Sequence, residues 1–344
     1  MKAVVLRHHG DESALEHLEW PDPVPGPGEV LIRVGACGLN HVDLDVRAGS
    51  SRFTVDLPRI LGREIAGEVV ALGPGATGRR VGERVAAGEM FTACWQCEQC
   101  LGGFDNVCWN VDYPGLFRDG GYAELVTIPA RNTALIPDGL SFVNAAASQV
   151  GFGTAWRALL QRSLGLLPQD VVLITAAASG VGSAGIQVAK LVGCRVIAVV
   201  GSPEKEAAVR ALGADWTVDH SKGAVDDAVR EITKGRGVDV AFEIAGGRLF
   251  QEAMRSLRYG GRLVLAGAHS GERVETDLIP IFRYERSIIG TARATLGEMS
   301  RVFAALAAGQ LRPVIDSTFP LRDAADAHRR LASRANVGKV VLVT

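Results

Sequence analysis

The first third of the chain alternates short runs of apolar and β-branched residues with clusters of turn-forming residues. The runs KAVVL, EVLIRVGAC, GEVVALG and YAELVTIPA predict strands, and PDPVPGPGE and GPGATG predict turns between them. Short strands broken in this way favour a small antiparallel β-barrel over a helical domain.

From about residue 150 the pattern changes to apolar strands that alternate with helices. The predicted strands span residues 171–175, 195–200, 215–219, 238–246, 262–268 and 286–291. This alternation predicts βαβ units, and therefore a doubly wound parallel sheet of the α/β class. The chain ends in GKVVLVT, a last strand that we expect to rejoin the first domain. The predicted domains are residues 1–150 with 292–344, and residues 151–291.

The chain has 344 residues, of which 47% are hydrophobic and 22% are charged, and its net charge is −1. This length favours about two domains, and the charge gives no electrostatic reason to expect nucleic acid or a membrane surface as a partner. We find no apolar stretch long enough for a signal peptide or a transmembrane helix. These features predict a cytoplasmic enzyme that acts on a small-molecule substrate.

Four of the six cysteines, Cys94, Cys97, Cys100 and Cys108, lie within fifteen residues. In a reducing cytosol such crowding favours a metal over disulfides. The spacing C-x2-C-x2-C-x7-C suits four thiolates around one tetrahedral Zn²⁺, and a closed Cys₄ shell leaves no position for a substrate. The spacing also differs from that of ferredoxin-type iron–sulfur sites. We therefore predict one structural zinc, held in a lobe at about residues 90–110.

The stretch TAAASGVGSAG, residues 175–185, lies between a predicted strand and a predicted helix. A dinucleotide pyrophosphate binds at such a turn, because glycines let the backbone approach and the helix start offers free N–H groups. The residues that would cradle it are Ser179, Gly180, Val181 and Gly182. The alternative is a tight strand–helix turn that binds no ligand.

The second strand of a dinucleotide-binding domain commonly ends in a carboxylate, which accepts hydrogen bonds from the ribose hydroxyls of NAD. This chain has Gly201 at that point, followed by Ser202 and, three residues later, Lys205. A hydroxyl and an ammonium favour a 2′-phosphate, so the sequence favours NADP(H) over NAD(H). The alternative is that Glu204 turns back to the ribose, or that Lys205 is only a solvated helix charge.

The whole chain resembles the medium-chain dehydrogenase/reductase superfamily. The resemblance rests on EVLIRVGACGLNHVDLDVRAG, the cysteine lobe, DGGYAEL, TAWRAL, AASGVG, FPL…AADAH and GKVVL, which occur in the family's order. It implies a GroES-like β-barrel catalytic domain, a Rossmann domain and an NAD(P)H-dependent oxidoreductase. It also implies a homodimer, or a dimer of dimers, joined through the Rossmann sheets. The lobe is similar to zinc-type alcohol dehydrogenases, whereas GLNHVD is similar to the quinone oxidoreductase and enoyl reductase branch.

The resemblance also implies that the catalytic zinc ligands of the alcohol dehydrogenases are missing. The family's two ligand cysteines fall at Asn40 and Val150, and its ligand histidine falls at Arg63. The hydroxyl that relays the alcohol proton falls at Val42, and Cys37, three residues before Asn40, is interpreted as a small buried apolar residue.

Arg63 and Glu64 stand side by side in the apolar run ILGREIAGEVVA, where an uncompensated charge is expensive. In the zinc enzymes of the family a carboxylate orients the ligand histidine. That carboxylate falls at Asp43, so we expect Asp43, with Glu64 as a second candidate, to pair with Arg63. Two interpretations stay open for Arg63: a structural ion pair, or a catalytic group that stabilises a developing oxyanion. Asn40 is a candidate to hold the nicotinamide ribose or the substrate oxygen.

By resemblance, further residues contact the cofactor. Thr154 lines the nicotinamide, Gly246 closes over the ribose, and the backbone of Ala266, Gly267 and Ala268 faces the carboxamide. His41 corresponds to a position that faces the pyrophosphate, although it is equally consistent with an ordinary loop residue. Tyr113 and Tyr122 are interpreted as packing residues, with a role as proton donors as the alternative.

Three functions follow from these features. The first is an NADPH-dependent reductase that delivers hydride to an activated C=C bond of an enal, enone, quinone or enoyl thioester without catalytic zinc. The second is an alcohol or carbonyl oxidoreductase of the alcohol dehydrogenase type. The third is a non-catalytic, NADPH-binding regulatory protein.

Overall fold

The computed structural model of the protein describes residues 1–87, 92–161 and 165–344. Residues 90 and 91, the first two of the predicted cysteine lobe, lie outside these ranges. The chain forms two compact units, one made of Met1–Gly153 with Ala294–Thr344 and the other of Thr154–Arg293. Within the described ranges, no helix is long and apolar enough to cross a membrane.

The elements are numbered along the chain. The N-terminal elements are β1 (Lys2–Leu6), β2 (Leu15–Glu19), β3 (Glu29–Gly38), α1 (His41–Ala48), β4 (Arg59–Ile60), β5 (Glu64–Leu72), β6 (Arg84–Ala86), α2 (Glu98–Leu101), β7 (Leu125–Pro129), β8 (Ala134–Leu135) and α3 (Phe142–Leu160). The middle elements are β9 (Val171–Ile174), α4 (Gly180–Val192), β10 (Arg195–Val200), α5 (Pro203–Ala211), β11 (Trp216–Asp219), α6 (Val225–Ile232), β12 (Val238–Glu243), α7 (Gly247–Ser256), β13 (Leu257–Leu265), α8 (Ile279–Arg283) and β14 (Ser287–Gly290). The C-terminal elements are α9 (Leu296–Ala307), β15 (Ile315–Pro320), α10 (Ala324–Ala332) and β16 (Lys339–Val343).

The first unit is built on a seven-stranded, mainly antiparallel sheet with the path β15-β16-β3-β5-β6-β8, and β7 also pairs with β3. A separate three-stranded sheet has the order β2-β1-β4. The strands β1, β3 and β5 contribute residues to a core that also includes three of the four lobe cysteines, Cys97, Cys100 and Cys108. Strand β15 was not predicted, because its half-buried residues lack the apolar alternation that marks a strand.

The sheet register brings distant parts of this unit together. Gly38, at the end of β3, lies opposite Glu64 of β5 on one side and opposite Val341 of β16 on the other. A Cβ atom at position 38 would overlap the Glu64 carboxylate. Glycine at this position therefore lets a carboxylate lie directly against the strand backbone.

The second unit contains a six-stranded sheet with the order β11-β10-β9-β12-β13-β14, and every strand pair in it is parallel. Strand β9 is buried along its whole length, as a strand covered on both faces should be. The predicted α/β class and the doubly wound parallel sheet are confirmed. The fifth strand spans residues 257–265 instead of the predicted 262–268, which places Ala266, Gly267 and Ala268 beyond its carboxyl end.

Candidate active site

Two buried charged residues stand at the start of β5. Arg63 directly precedes the strand and is 6% exposed, and Glu64 is its first residue and is completely buried. A buried charge without a partner costs several kcal/mol. The surrounding elements must therefore supply compensating groups.

The Glu64 carboxylate is held by three donors. It forms a salt bridge with Lys339 Nζ at the start of β16, and it accepts hydrogen bonds from Asn40 Nδ2 at 3.0 Å and from the Val150 backbone N–H at 2.6 Å. The Lys339 ammonium also donates to the Leu39 carbonyl at 2.6 Å and to Asn40 Oδ1 at 3.0 Å. Lys339 is thus a cationic partner of Glu64 that the sequence did not reveal, and the pairing of Glu64 with Arg63 stays a prediction.

The Asp43 carboxylate lies in the first turn of α1 and is 1% exposed. It accepts hydrogen bonds from the Asn40 N–H at 2.8 Å and from the Tyr122 hydroxyl at 3.3 Å. Burial raises the pKa of Asp43 to about 6, against the opposing effects of the Arg63 charge and the Asn40 N–H. Asp43 is therefore mainly ionised at neutral pH and interacts electrostatically with Arg63.

The Arg63 guanidinium also lies over an aromatic ring. Its Cζ atom is 5.5 Å from the centroid of the Tyr113 ring, which in turn packs against Phe53 and Phe117 at 5.6 Å and 5.9 Å. A guanidinium that stacks on an aromatic face keeps its in-plane N–H donors directed sideways. Tyr113 therefore acts as a platform for Arg63, consistent with its interpretation as a packing residue.

The residues at the family's catalytic zinc positions do not fit a metal ion. Asn40 is bonded to both members of the Glu64–Lys339 pair, Arg63 carries a permanent positive charge, and Val150 offers only its backbone N–H. The Cys37 thiol is 1% exposed and belongs to no group of three or more potential metal ligands among the described residues. The positive charges near these positions are those of two side chains, Arg63 and Lys339.

A second polar group of the site was not recognised from the sequence. The Tyr122 hydroxyl, completely buried, lies 3.2 Å from His328 Nε2 of α10, and His328 Nδ1 lies 3.3 Å from Arg47 Nη1. Burial lowers the pKa of His328 to about 3, so its ring is neutral. The motifs AADAH and GKVVL contain His328 and Lys339, but only the fold places these residues beside Asp43 and Glu64.

The four lobe cysteines form one cluster. All four sulfur atoms lie within 4.8 Å of one another, and Cys108 Sγ is 3.5 Å from Cys94 Sγ and 3.9 Å from Cys97 Sγ. Four sulfurs at the Zn–S bond length from a tetrahedral centre stand roughly 3.8 Å apart. The donor set and its spacing therefore fit Zn²⁺. Among the described residues it is the one group of three or more His, Cys, Asp or Glu side chains close enough to hold a metal.

The predicted phosphate-binding turn follows β9. The Ser179 hydroxyl accepts a hydrogen bond from the Gly182 N–H at 3.0 Å and caps α4, which begins at Gly180 and includes Val181. A Cβ atom at Gly182 would overlap the Ala176 carbonyl, so only glycine allows this close turn. The geometry offers a helix N-terminus at the carboxyl end of a parallel strand, where anions bind.

The residues predicted to select the cofactor follow β10. Ser202 caps α5, and its hydroxyl accepts from the Lys205 N–H at 3.5 Å. A Cβ atom at Gly201 would lie 2.9 Å from His220 Nε2, so the glycine leaves room for this imidazole. His220 was missed because it follows β11, nineteen residues after Gly201. The Glu204 backbone N–H and, after it, the Ser202 hydroxyl donate to the Glu204 carboxylate and lower its pKa.

Most of the remaining predicted cofactor residues lie at the same edge of the parallel sheet. Gly246 follows β12 with a φ of +80° and donates its N–H to the Glu243 carboxylate at 2.9 Å. Ala266, Gly267 and Ala268 follow β13, and Thr154 is the 8% exposed first residue of this unit. His41, the first residue of α1, belongs to the other unit.

Comparison with known proteins agrees with this architecture. The family described as alcohol dehydrogenase GroES-like domain matches residues 26–138, and the family described as zinc-binding dehydrogenase matches residues 180–308. An alcohol dehydrogenase of Geobacillus stearothermophilus is 33% identical over 99% of this chain and 98% of its own. The acryloyl-coenzyme A reductase of Metallosphaera sedula is 30% identical over the full length of both chains. A solved NAD-dependent alcohol dehydrogenase is 40% identical, with a TM-score of 0.95 and complete coverage of both chains.

A GroES-like domain joined to a doubly wound nucleotide-binding sheet defines a class of two-domain oxidoreductases. The chain belongs to the medium-chain dehydrogenase/reductase superfamily and is an oxidoreductase of that superfamily.

Proposed function

We propose that the chain is an NADPH-dependent reductase that delivers hydride to an activated C=C bond without catalytic zinc. The observation that carries the proposal is the set of protein cations, Arg63 and Lys339, around the positions at which alcohol dehydrogenases bind their catalytic metal. The similarity to an acryloyl-coenzyme A reductase supports the same class of substrate.

The chemistry of a conjugated double bond suits this site. Oxidation of a simple alcohol requires a group that lowers the pKa of the hydroxyl, a task that zinc performs in the metal-dependent relatives. Reduction of C=C–C=O places negative charge on the carbonyl oxygen, where a hydrogen-bond donor is sufficient. Bound NADPH supplies the hydride.

In this proposal Arg63 acts on the substrate oxygen. Its guanidinium has five N–H donors, and in this proposal it donates to the developing enolate. Asp43 and the Tyr113 ring orient the guanidinium. The salt bridge of the neighbouring residue Glu64 with Lys339 ties the start of β5 to β16.

A substrate screen tests this function. Each unsaturated aldehyde, ketone or acyl thioester is paired with its saturated partner, and NADPH consumption is followed together with product analysis. We expect reduction of the unsaturated members, with the C=C bond saturated in the product and the carbonyl group intact. Turnover confined to saturated aldehydes, ketones or alcohols would replace the proposal with the second candidate, an alcohol or carbonyl oxidoreductase, which the similarity to alcohol dehydrogenases favours.

We further propose that the cofactor is NADP(H). Gly201 leaves the end of β10 without a carboxylate, Ser202 and Lys205 follow it in the first turn of α5, and the His220 imidazole lies beside it. These groups suit a phosphate on the adenosine ribose. NAD(H) is the alternative, because one solved relative is an NAD-dependent alcohol dehydrogenase.

The variant Gly201→Asp should raise the Michaelis constant for NADPH by about 10²-fold, because a carboxylate there repels the 2′-phosphate. The Michaelis constant for NADH should change far less. Gly201→Ala is the matched control, since it adds the Cβ atom that approaches His220 without adding charge. Equal effects of both variants would show that crowding, not charge, governs binding, and a wild-type preference for NADH would refute the NADP(H) proposal.

We propose one structural Zn²⁺ per chain, bound by Cys94, Cys97, Cys100 and Cys108. Metal analysis should find about one zinc in the wild type, and Cys97→Ser should remove it and lower the melting temperature by on the order of 10 °C. Cys194→Ala, which changes a buried cysteine outside the cluster, should keep the zinc. A second zinc in the wild type would contradict the metal-free reaction site.

The homodimer and the cytoplasmic location also stay proposals. Strand β14 stands at the end of the parallel sheet, and the nearby apolar residues Leu278, Phe282 and Ile288 are exposed by 67%, 68% and 42%. An exposed edge strand with apolar neighbours suits pairing with a second copy of the chain.

A further inference from the structure

A buried chain of hydrogen bonds leads from Arg47 to Asp43. Arg47 Nη1 lies 3.3 Å from His328 Nδ1, His328 Nε2 lies 3.2 Å from the Tyr122 hydroxyl, and that hydroxyl lies 3.3 Å from Asp43 Oδ2. Arg47 is 7% exposed, whereas Tyr122 and His328 are fully buried. The other donors of Arg47 bind Glu12 at 2.7 Å and the Gly10 carbonyl at 3.3 Å.

The partners fix the direction of every bond in this chain. A guanidinium only donates, so His328 Nδ1 must accept and its proton must be on Nε2. The Nε2–H group then donates to the Tyr122 oxygen, which leaves the phenolic hydrogen for Asp43. All the donors therefore point towards the carboxylate, and the neutral form of His328 is the one this arrangement requires.

We propose that Tyr122 and His328 are positioning residues that hold Asp43 as an ionised carboxylate and thereby orient the Arg63 guanidinium. This inference rests on the role proposed above for Arg63. It assigns to Tyr122 neither of the two roles considered from the sequence: the hydroxyl is neither a mere packing group nor a donor of protons to the substrate.

The local packing shows that the position of Tyr122 is specific. Gly62 has a φ of +94°, and a Cβ atom there would overlap the Tyr122 ring. The ring meets that of His328 edge to face, with centroids 5.7 Å apart and an angle of 83° between the planes. Both rings are thus held where their polar atoms meet, which is the requirement for a fixed orientation.

Groups of opposite effect surround Asp43, some favouring its ionised form and some its protonated form. Arg63 and Lys339 favour the carboxylate, Glu64 opposes it, and burial opposes it most strongly. Burial also raises the pKa values of Cys37 and Tyr122 well above their ordinary values, so both are neutral neighbours at pH 7. The pKa of Asp43, about 6, lies close to pH 7. The gain or loss of one hydrogen bond therefore changes the fraction of Asp43 that is ionised at pH 7.

The hydrogen bonds from Arg47 to Asp43 fix the positions of these side chains and do not form a path for proton transfer. Transfer from Tyr122 to Asp43 would need His328 to pass on a proton and take another from Arg47, and a guanidinium does not release one. The chain can therefore stabilise the carboxylate but cannot deliver protons to it.

The variant Tyr122→Phe should move the acidic limb of the pH profile of kcat/KM. In the wild type, activity on an unsaturated carbonyl substrate should fall as the pH drops through about 6, because protonated Asp43 releases Arg63. Loss of the hydroxyl removes a donor to the charged form and should raise this midpoint by about one pH unit. The matched control Phe303→Leu, a buried substitution in α9, should lower stability without moving the midpoint. An unchanged midpoint in Tyr122→Phe would overturn the inference.

Substitutions of His328 separate its hydrogen bond from its volume. His328→Gln keeps an N–H donor at the position of Nε2 and should leave the midpoint close to that of the wild type. His328→Leu removes the donor and should shift the midpoint in the same direction as Tyr122→Phe. Equal profiles for the two His328 variants would show a purely structural role.

The melting temperature can be measured without substrate, so it tests this inference independently of the proposed function. The melting temperature of Tyr122→Phe should lie below that of the wild type at pH 5, and the deficit should grow by roughly 3 °C by pH 8. The sign follows from linkage: at pH 5 Asp43 is protonated in both proteins, and above pH 6 only the wild type gains the Tyr122 bond to the carboxylate. A deficit independent of pH would refute the inference whether or not any substrate is reduced.

Discussion

Replacing Arg63 with alanine should lower kcat on an unsaturated carbonyl substrate by about 10²–10³-fold, the effect of losing one oxyanion donor. The dissociation constant of NADPH, measured by titration without substrate, should stay within about threefold of the wild-type value, because Arg63 is not among the residues proposed to bind the nucleotide, most of which lie in the other unit.

The size of this effect follows from where Arg63 lies. The guanidinium is 6% exposed, stacks on Tyr113 and interacts with Asp43, so its donors are oriented before the substrate arrives. Oriented donors in a water-poor site stabilise a developing oxyanion much more strongly than solvent-exposed ones do.

Two further variants separate catalysis from stability. Arg63→Lys keeps the charge but loses the planar fork, so activity should recover only in part. In Arg63→Ala/Asp43→Asn, no carboxylate remains to be compensated, so the melting temperature should recover while kcat stays low. If the double variant also regains activity, Arg63 is a structural ion-pair partner and the enolate must be stabilised by another group.

The sequence predicts the architecture well because its signals are local. Apart from β13, the parallel strands of the second unit are short, mainly apolar runs of four to six residues. The cysteine spacing is also local, so the cluster is predictable without knowledge of the fold. The start of β13 was misplaced because Arg258, Tyr259, Gly260 and Gly261 interrupt its apolar pattern.

The polar site is not predictable in this way because its members are distant in sequence. Glu64 and Lys339 are separated by most of the chain, and they meet only because β3 pairs with both β5 and β16. The sequence could show that Arg63 and Glu64 need partners, since burial without them is costly. It could not show which cation or carboxylate each would receive.

The same limit applies to His328. A histidine within an amphipathic helix gives no signal of its own, and its partners Tyr122 and Arg47 lie 206 and 281 residues away. The direction of the hydrogen bonds depends on Arg47 in particular, because only a group that always donates fixes the tautomer.

Replacing Lys339 with methionine should lower the free energy of unfolding at pH 7 by about 3–5 kcal/mol. Methionine keeps an unbranched side chain that is one atom shorter, and it leaves the completely buried Glu64 carboxylate without its cation. The Val150 N–H and Asn40 Nδ2 still donate to it, yet neither supplies charge. The deficit is measured by denaturant unfolding of both proteins at pH 7.

The double variant Glu64→Gln/Lys339→Met is the matched control. Glutamine keeps an acceptor for the Val150 N–H and carries no charge, so most of the lost stability should return. The recovery should stop about 1–2 kcal/mol short of the wild type, because Lys339 also donates to the Leu39 carbonyl and to Asn40 Oδ1. If the double variant is as unstable as Lys339→Met, the charge of Glu64 does not cause the loss of stability. The loss would then come from the missing hydrogen bonds of the Lys339 ammonium.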